Sequence, residues 1–165
     1  LLTSCSVGMH SKRLSAADMH LLNKAKIGVV NAGITAGILR KYGFSSILLL
    51  DGKSGKKENL KSKLCGCDVI IGAGEEGDAA KAAEKLGVPF IPASAVTIIL
   101  PDGIRYSEMV FPRLPKNFKN ETIACAQACE AVKVISGIAT PIFAPLAFVA
   151  ERDGLKLRKV KLKVK

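Results

Sequence analysis

Short apolar runs recur through the first hundred residues at positions 27–30, 47–50, 68–72 and 88–91, and none of them alternates with polar residues. Such runs predict buried strands covered on both faces, and the polar or amphipathic stretches between them predict crossover helices. Ser15 reads as the cap of a helix through Lys24, with Asp18 in its first turn and Met19, Leu21 and Leu22 as its apolar face. A second helix over 34–42 stops at Gly43, and an alanine-rich third spans 78–86. Successive strand–helix–strand units require right-handed crossovers and hence a parallel sheet.

Beyond residue 95 the pattern changes. Residues 96–100 and 104–107 flank Pro101-Asp-Gly103, a connection too short to cross over a sheet, and predict an antiparallel hairpin. A helix over 121–135 follows, with Asn120 as N-cap, Ile123, Ala124, Ala128, Ala131, Val132 and Ile135 on its apolar side, and Gly137 as its stop. The tail alternates Leu155 and Leu157, then Val160, Leu162 and Val164, with Lys or Arg between, which predicts a half-exposed strand whose lysines deter edge pairing. The fold class expected is α/β, a Rossmann-like mixed sheet with a parallel first half, antiparallel C-terminal strands and helices on both faces. Residues 15–165 read as one domain after an uncertain segment at 1–14.

Chemistry concentrates at the first strand. It runs into Asn31-Ala-Gly33 and on through Gly37, and the second strand ends in Asp51. A buried strand, a small-residue turn, a helix and a second strand tipped by a carboxylate is the opening of a nucleotide-binding α/β domain. The bland alternative is a tight turn without a ligand, with Asp51 capping a neighbouring turn. Asn59, Lys61 and Lys63 read either as a solvated face or as phosphate contacts, and Glu75 and Glu76 either as helix-start acids or as metal ligands.

Composition narrows this. The chain has 165 residues, 48% of them hydrophobic, enough for a single good core. Its net charge of +11 is local, with five lysines between Lys53 and Lys63 and seven Lys or Arg between Arg152 and Lys165. With 5% aromatic residues and no Trp, base-stacking platforms are scarce, so the charge argues for a nucleotide or an acidic partner rather than nucleic acid. Cys5, Cys65, Cys67, Cys125 and Cys129 are too few and too irregular for a secreted disulfide scaffold, and a reducing cytoplasm is the expectation. The last four form a conceivable four-thiolate set, although small core residues explain them better. His10 and His20 join no constellation. Prolines 141 and 145 interrupt the greasy region 138–150, so no membrane span is expected, and 9–24 is too polar for a signal peptide.

The order of these motifs resembles the family of ThiF, HesA and MoeB, adenylating proteins related to the ubiquitin-activating enzymes. Leu21-Leu-Asn-Lys-Ala-Lys precedes Val29-Val-Asn-Ala-Gly, which stands where the family has a Gly-x-Gly-x-x-Gly turn. Asp51 matches its ribose-binding acid, and Glu58-Asn59-Leu60 its Asn-Leu pair. Asp68-Val-Ile-Ile and Gly87-Val-Pro-Phe-Ile follow, and Ala128-Cys-Glu-Ala-Val-Lys-Val-Ile-Ser-Gly-Ile is similar to a helix carrying Ala-x-Glu-Ala and Lys. The resemblance covers residues 15–165 and implies one ThiF-like domain.

It also implies ATP as cofactor, with or without Mg²⁺, contacted by Asn31, Ala32, Gly33, Asp51, Asn59 and Lys63. Lys61 and Lys63 are its candidates for charge neutralisation during catalysis, and Glu75 is the surviving candidate for metal. The implied reaction adenylates a carboxylate, on a small carrier protein or a small-molecule acid, in a homodimer. The departures define the alternative, a degenerate partner or scaffold subunit. Asn31, Ile34 and Ala36 replace glycines, the Arg expected after Leu60 is missing, only three residues separate Leu64 from Asp68, and Gly74-Glu75-Glu76 replaces a Thr-Asp-Asn segment. A nicotinamide-dependent reductase rests on Asp51 and the turn alone and ranks last.

Overall fold

A computed structural model describes residues 14–51, 60–74, 76–113, 120–151 and 156–165. Ser15 and Asp18 cap helix α1 (Ala16–Lys24) reciprocally: the Asp18 amide donates to Ser15 Oγ at 3.1 Å and the Ser15 amide to Asp18 Oδ2 at 2.8 Å. Strand β1 (Lys26–Val30), helix α2 (Gly33–Lys41), β2 (Ser46–Leu50), the single turn α3 (Leu60–Lys63), β3 (Val69–Gly72), α4 (Glu76–Leu86) and β4 (Phe90–Ile91) follow. All four strands are parallel in the order β2-β1-β3-β4, with Val30 opposite both Leu50 and Gly72.

The pleat divides the core. Ile27 and Val29 of β1, with Val69 and Ile71 of β3, pack on one face beneath Leu22, Ala36, Leu39 and the long helix α5 (Asn120–Ser136). Val30 and Ile70 face the other way, onto Leu64 and the alanines of α4. Gly28 belongs to this second face, and a Cβ there would lie 2.5 Å from Leu64 Cδ2, so a larger residue would force the Leu64 side chain to move off β1.

The parallel half agrees with the sequence except at β2. That strand is an edge strand, only partly covered, and Leu49 is 41% exposed. An apolar run without alternation therefore did not mean cover on both faces here. The expected hairpin of 96–100 with 104–107 does not form. Ile99 instead exchanges two 2.9 Å backbone hydrogen bonds with Phe90, and Val96 exchanges bonds of 2.8 and 2.9 Å with Phe148. Residues 104–107 enter a 3₁₀ turn (Tyr106–Glu108), because long-range pairing for 96–99 outcompetes the local turn.

Residues 96–99 thus join β4 to an antiparallel pair of β6 (Leu146–Ala150) and β7 (Leu157–Lys161). β6 comes from the proline-punctuated region and was not expected as a strand. The tail strand breaks at buried Leu162, after which β8 (Lys163–Val164) pairs with β5 (Met109–Val110). The sheet is mixed as expected, with helices on both faces.

Candidate functional site

The carboxyl ends of β2, β1 and β3 meet in a line. The Asn31 amide donates to Leu50 O at 2.9 Å, and the Ala73 amide donates to Val30 O at 3.0 Å. Asn31 and Asp51 are therefore the first residues beyond two paired strand ends, and both are exposed. Asn31 has φ 57°, the left-handed region in which Asn is the side chain most readily accepted after glycine. Asn31 thus takes a backbone conformation that glycine would also take.

Helix α2 starts immediately after, at Gly33, and its cap residue Ala32 offers no side-chain acceptor. The first-turn N–H groups point out of the helix with its positive dipole end and no side-chain cap. A Cβ at Gly33 would meet nothing within 4 Å, so packing does not require glycine there. A bare helix start, an open approach at Gly33 and an exposed carboxylate one strand away have the shape and charge that phosphates and a ribose demand.

The ends of β3 and β4 are different. Glu76, the first residue of α4, is buried, and its carboxylate accepts from the Ala93 amide, the Ser94 amide at 3.1 Å, Ser94 Oγ at 2.6 Å and Tyr106 OH at 3.0 Å. Burial pushes its carboxyl above the ordinary value, which outweighs these donors. Burial, with the Glu76 charge as the second cause, raises the Tyr106 phenol to about 12. Tyr106 also packs edge-on against Phe90 and stacks on Phe111. This cluster spends its polar atoms on itself.

Helix α5 supplies polar groups from beneath. Gln127 Nε2 donates to Gly72 O at 2.9 Å and to Ile91 O at 3.2 Å, while Thr35 Oγ1 donates to Gln127 Oε1 at 2.9 Å. One helical turn on, Lys133 Nζ lies 2.6 Å from Glu130 Oε1, and Glu130 Oε2 accepts the Ile142 amide at 2.8 Å. This ion pair is almost completely buried, and the Ile142 hydrogen bond to Glu130 ties α5 to the segment before β6. Sequence reasoning assigned none of these residues a role. The available signal was a Gln, a Glu and a Lys inside a helix otherwise built of Ala, Cys, Val and Ile, where a buried polar group must find partners.

Of the other candidates, Ala32 is buried beside the turn, whereas Lys61 and Lys63 are exposed on α3. The residue after α3, Leu64, rests on Gly28, and α3 itself packs against α4. Asn59 and Glu75 lie outside the described residues. Cys67 is buried on the α4 face, its thiol pushed up by burial, while Cys129 is buried on α5 with Sγ 3.7 Å from Tyr42 OH. The sheet separates the two cysteine pairs, so they do not combine into a four-thiolate site. Among the described residues no group of three His, Cys, Asp or Glu could hold a metal ion. Among the same residues no helix is long and apolar enough to cross a membrane.

The fold is that of a Rossmann-like α/β domain with a mixed sheet. Solved structures share it. PaaA matches at a TM-score of 0.65 and 14% identity over 90% of this chain and 67% of that chain. E. coli MccB with ATP gives the same figures, 0.65, 14%, 90% and 67%. The microcin C7 biosynthetic enzyme MccB in complex with N-formylated MccA matches at 0.63 and 11% identity, over 90% and 67%. The chain spans about two thirds of the length of the solved chains it matches. No protein-family model matches the chain, and no curated protein does. At these identities the likeness is one of fold, and at that level the resemblance to the ThiF, HesA and MoeB family holds.

Proposed function

We propose that the chain binds ATP at the Asn31–Asp51 end of its sheet and adenylates a carboxylate, carried by a small protein or a small-molecule acid. The observation that carries this reading is the pairing of an uncapped α2 start with exposed Asp51 across adjacent strand ends, in a fold shared with a structure of MccB with ATP. The N–H groups of Gly33 and Ile34 receive phosphate oxygens, Asp51 accepts from ribose hydroxyls, and Asn31 shapes the turn between them. The substrate carboxylate oxygen forms a bond to the α-phosphorus as the bond from that phosphorus to the pyrophosphate oxygen breaks, and pyrophosphate leaves. The protein supplies position and charge rather than a nucleophile.

Lys61 and Lys63, exposed on α3, are the side chains that would neutralise charge on the phosphates. Glu76 is committed elsewhere, so of the Gly74-Glu75-Glu76 segment only Glu75 remains to hold Mg²⁺, which when bound would offset negative charge on the phosphates. A homodimer in the cytoplasm, with no nucleic-acid partner, completes the proposal. The inward-facing Glu76 is also what favours the second reading, a non-catalytic partner subunit that has kept the fold. ATP-dependent pyrophosphate exchange, read beside the shift in melting temperature that ATP causes, tests both. Exchange with any carboxylate supports the enzyme. A thermal shift without exchange supports the non-catalytic subunit, and NADH binding without ATP binding would overturn both.

A further inference from the structure

The structure assigns Gln127 a role that rests on the nucleotide-site reading: we infer that it is a positioning residue, holding the first turn of α2 to the carboxyl ends of β3 and β4. Its amide is buried, and its three hydrogen bonds go to three different elements. Gly72 and Ile91 are the last residues of β3 and β4, and Thr35 is the third residue of α2.

Two features make the link specific to this edge of the sheet. The parallel ladder between β3 and β4 contains Ile70 N donating to Pro89 O at 2.9 Å, and continuing it would bring the Ala93 amide to Gly72 O. That amide goes to Glu76 instead, and Gln127 Nε2 supplies the missing donor. Thr35, likewise, does not turn its hydroxyl back to its own helix but sends it 92 residues along the chain. The helix start therefore has no local cap and is held from below. Such an arrangement leaves the outer N–H groups available while fixing where they point, which is what recognition of a phosphate by backbone donors needs.

Thr35→Val removes the hydroxyl with little change of shape, and Thr35→Ser keeps it. Hydrogen–deuterium exchange is read at the Ala36 and Gly37 amides of α2 and at the Ala79–Ala83 amides of α4, beside calorimetric titration with ATP. The expectation for Thr35→Val is exchange about tenfold faster at Ala36 and Gly37 with α4 unchanged, and ATP bound about tenfold more weakly, the effect of one lost hydrogen bond. Thr35→Ser should restore both. Unchanged exchange at Ala36 and Gly37, or an increase shared equally by α4, overturns the inference, because the link would then be absent or merely part of global stability. If the wild type binds no ATP but the local exchange response is present, the positioning of α2 stands and the nucleotide reading fails.

Discussion

Two neighbouring parts of one sheet edge treat their polar groups in opposite ways. At the ends of β3 and β4, Glu76 collects two amides, a serine hydroxyl and a phenol, and all are turned inward. At the ends of β1 and β2, Asn31, Gly33 and Asp51 are exposed, and α2 has no side-chain cap. A carboxylate with its lone pairs already filled holds its own loop and little else, whereas an exposed one beside bare N–H groups is available to a ligand. The difference separates an end that holds its own loops together from the end at which we propose the nucleotide binds.

The strongest way to break this contrast is Glu76→Ala. It deprives four donors of their acceptor in a buried setting, and such unpaired groups cost more than the net value of the bonds lost. We expect a loss of about 3 kcal/mol, or roughly 6–12 °C in melting temperature for a chain of this size. Calorimetric unfolding measures it, and a change below about 1 kcal/mol would mean that water replaces the carboxylate and the closed cluster is not what stabilises this end.

Asp51→Ala probes the opposite pole. The side chain is exposed, so the melting temperature of the free protein should not move. Affinity for ATP should fall at least about tenfold, the usual effect of removing a charged acceptor from a ligand hydroxyl. Isothermal titration gives the affinity and differential scanning calorimetry the melting temperature. Loss of stability alone would show that Asp51 caps its own neighbourhood.

A pH series sharpens the same contrast at Glu76. Burial raises its carboxyl above the ordinary 4.5. The native state therefore holds a proton that the unfolded chain has released, and this contribution to stability is complete below about 4.5 and is lost as pH rises through the raised value. Urea unfolding of wild type and E76Q across that window should show wild type losing stability relative to the variant as pH increases. Parallel curves for the two proteins would mean that the four donors cancel the desolvation.

Much of the parallel half was legible because its signals are local. Unalternating runs marked β1, β3 and β4, Ser15 and Asp18 marked α1, and the Asn31 turn with Asp51 marked the strand ends that the structure brings together. What escaped was long-range. Nothing near 96–99 shows that Phe90 and Phe148 lie on either side of it, so the Pro101-Asp-Gly103 turn suggested a hairpin. β6 was hidden by prolines at 141 and 145 just before it, although it is ordinary once β7 lies beside it. Edge position misled at β2, since an apolar run does not reveal whether a helix covers it. Glu76 read as a helix-start acid, and only tertiary contact with Ala93, Ser94 and Tyr106 shows where its carboxylate goes.

The smallest expected effect tests whether the open end depends on a backbone shape or on a side chain. Asn31 adopts φ 57°, which glycine enters without strain and alanine does not. Asn31→Ala should therefore cost about 1 kcal/mol, while Asn31→Gly should stay within about 0.5 kcal/mol of wild type, its freedom in the unfolded chain offsetting the relief in the folded one. Equilibrium denaturation separates these values. ATP titration then completes the argument: if the turn acts through its path, Asn31→Gly binds like wild type and Asn31→Ala binds more weakly. Equal weakening in both would move the role to the Asn31 side-chain amide, and Asn31 would be a ligand contact instead of a holder of the turn's shape.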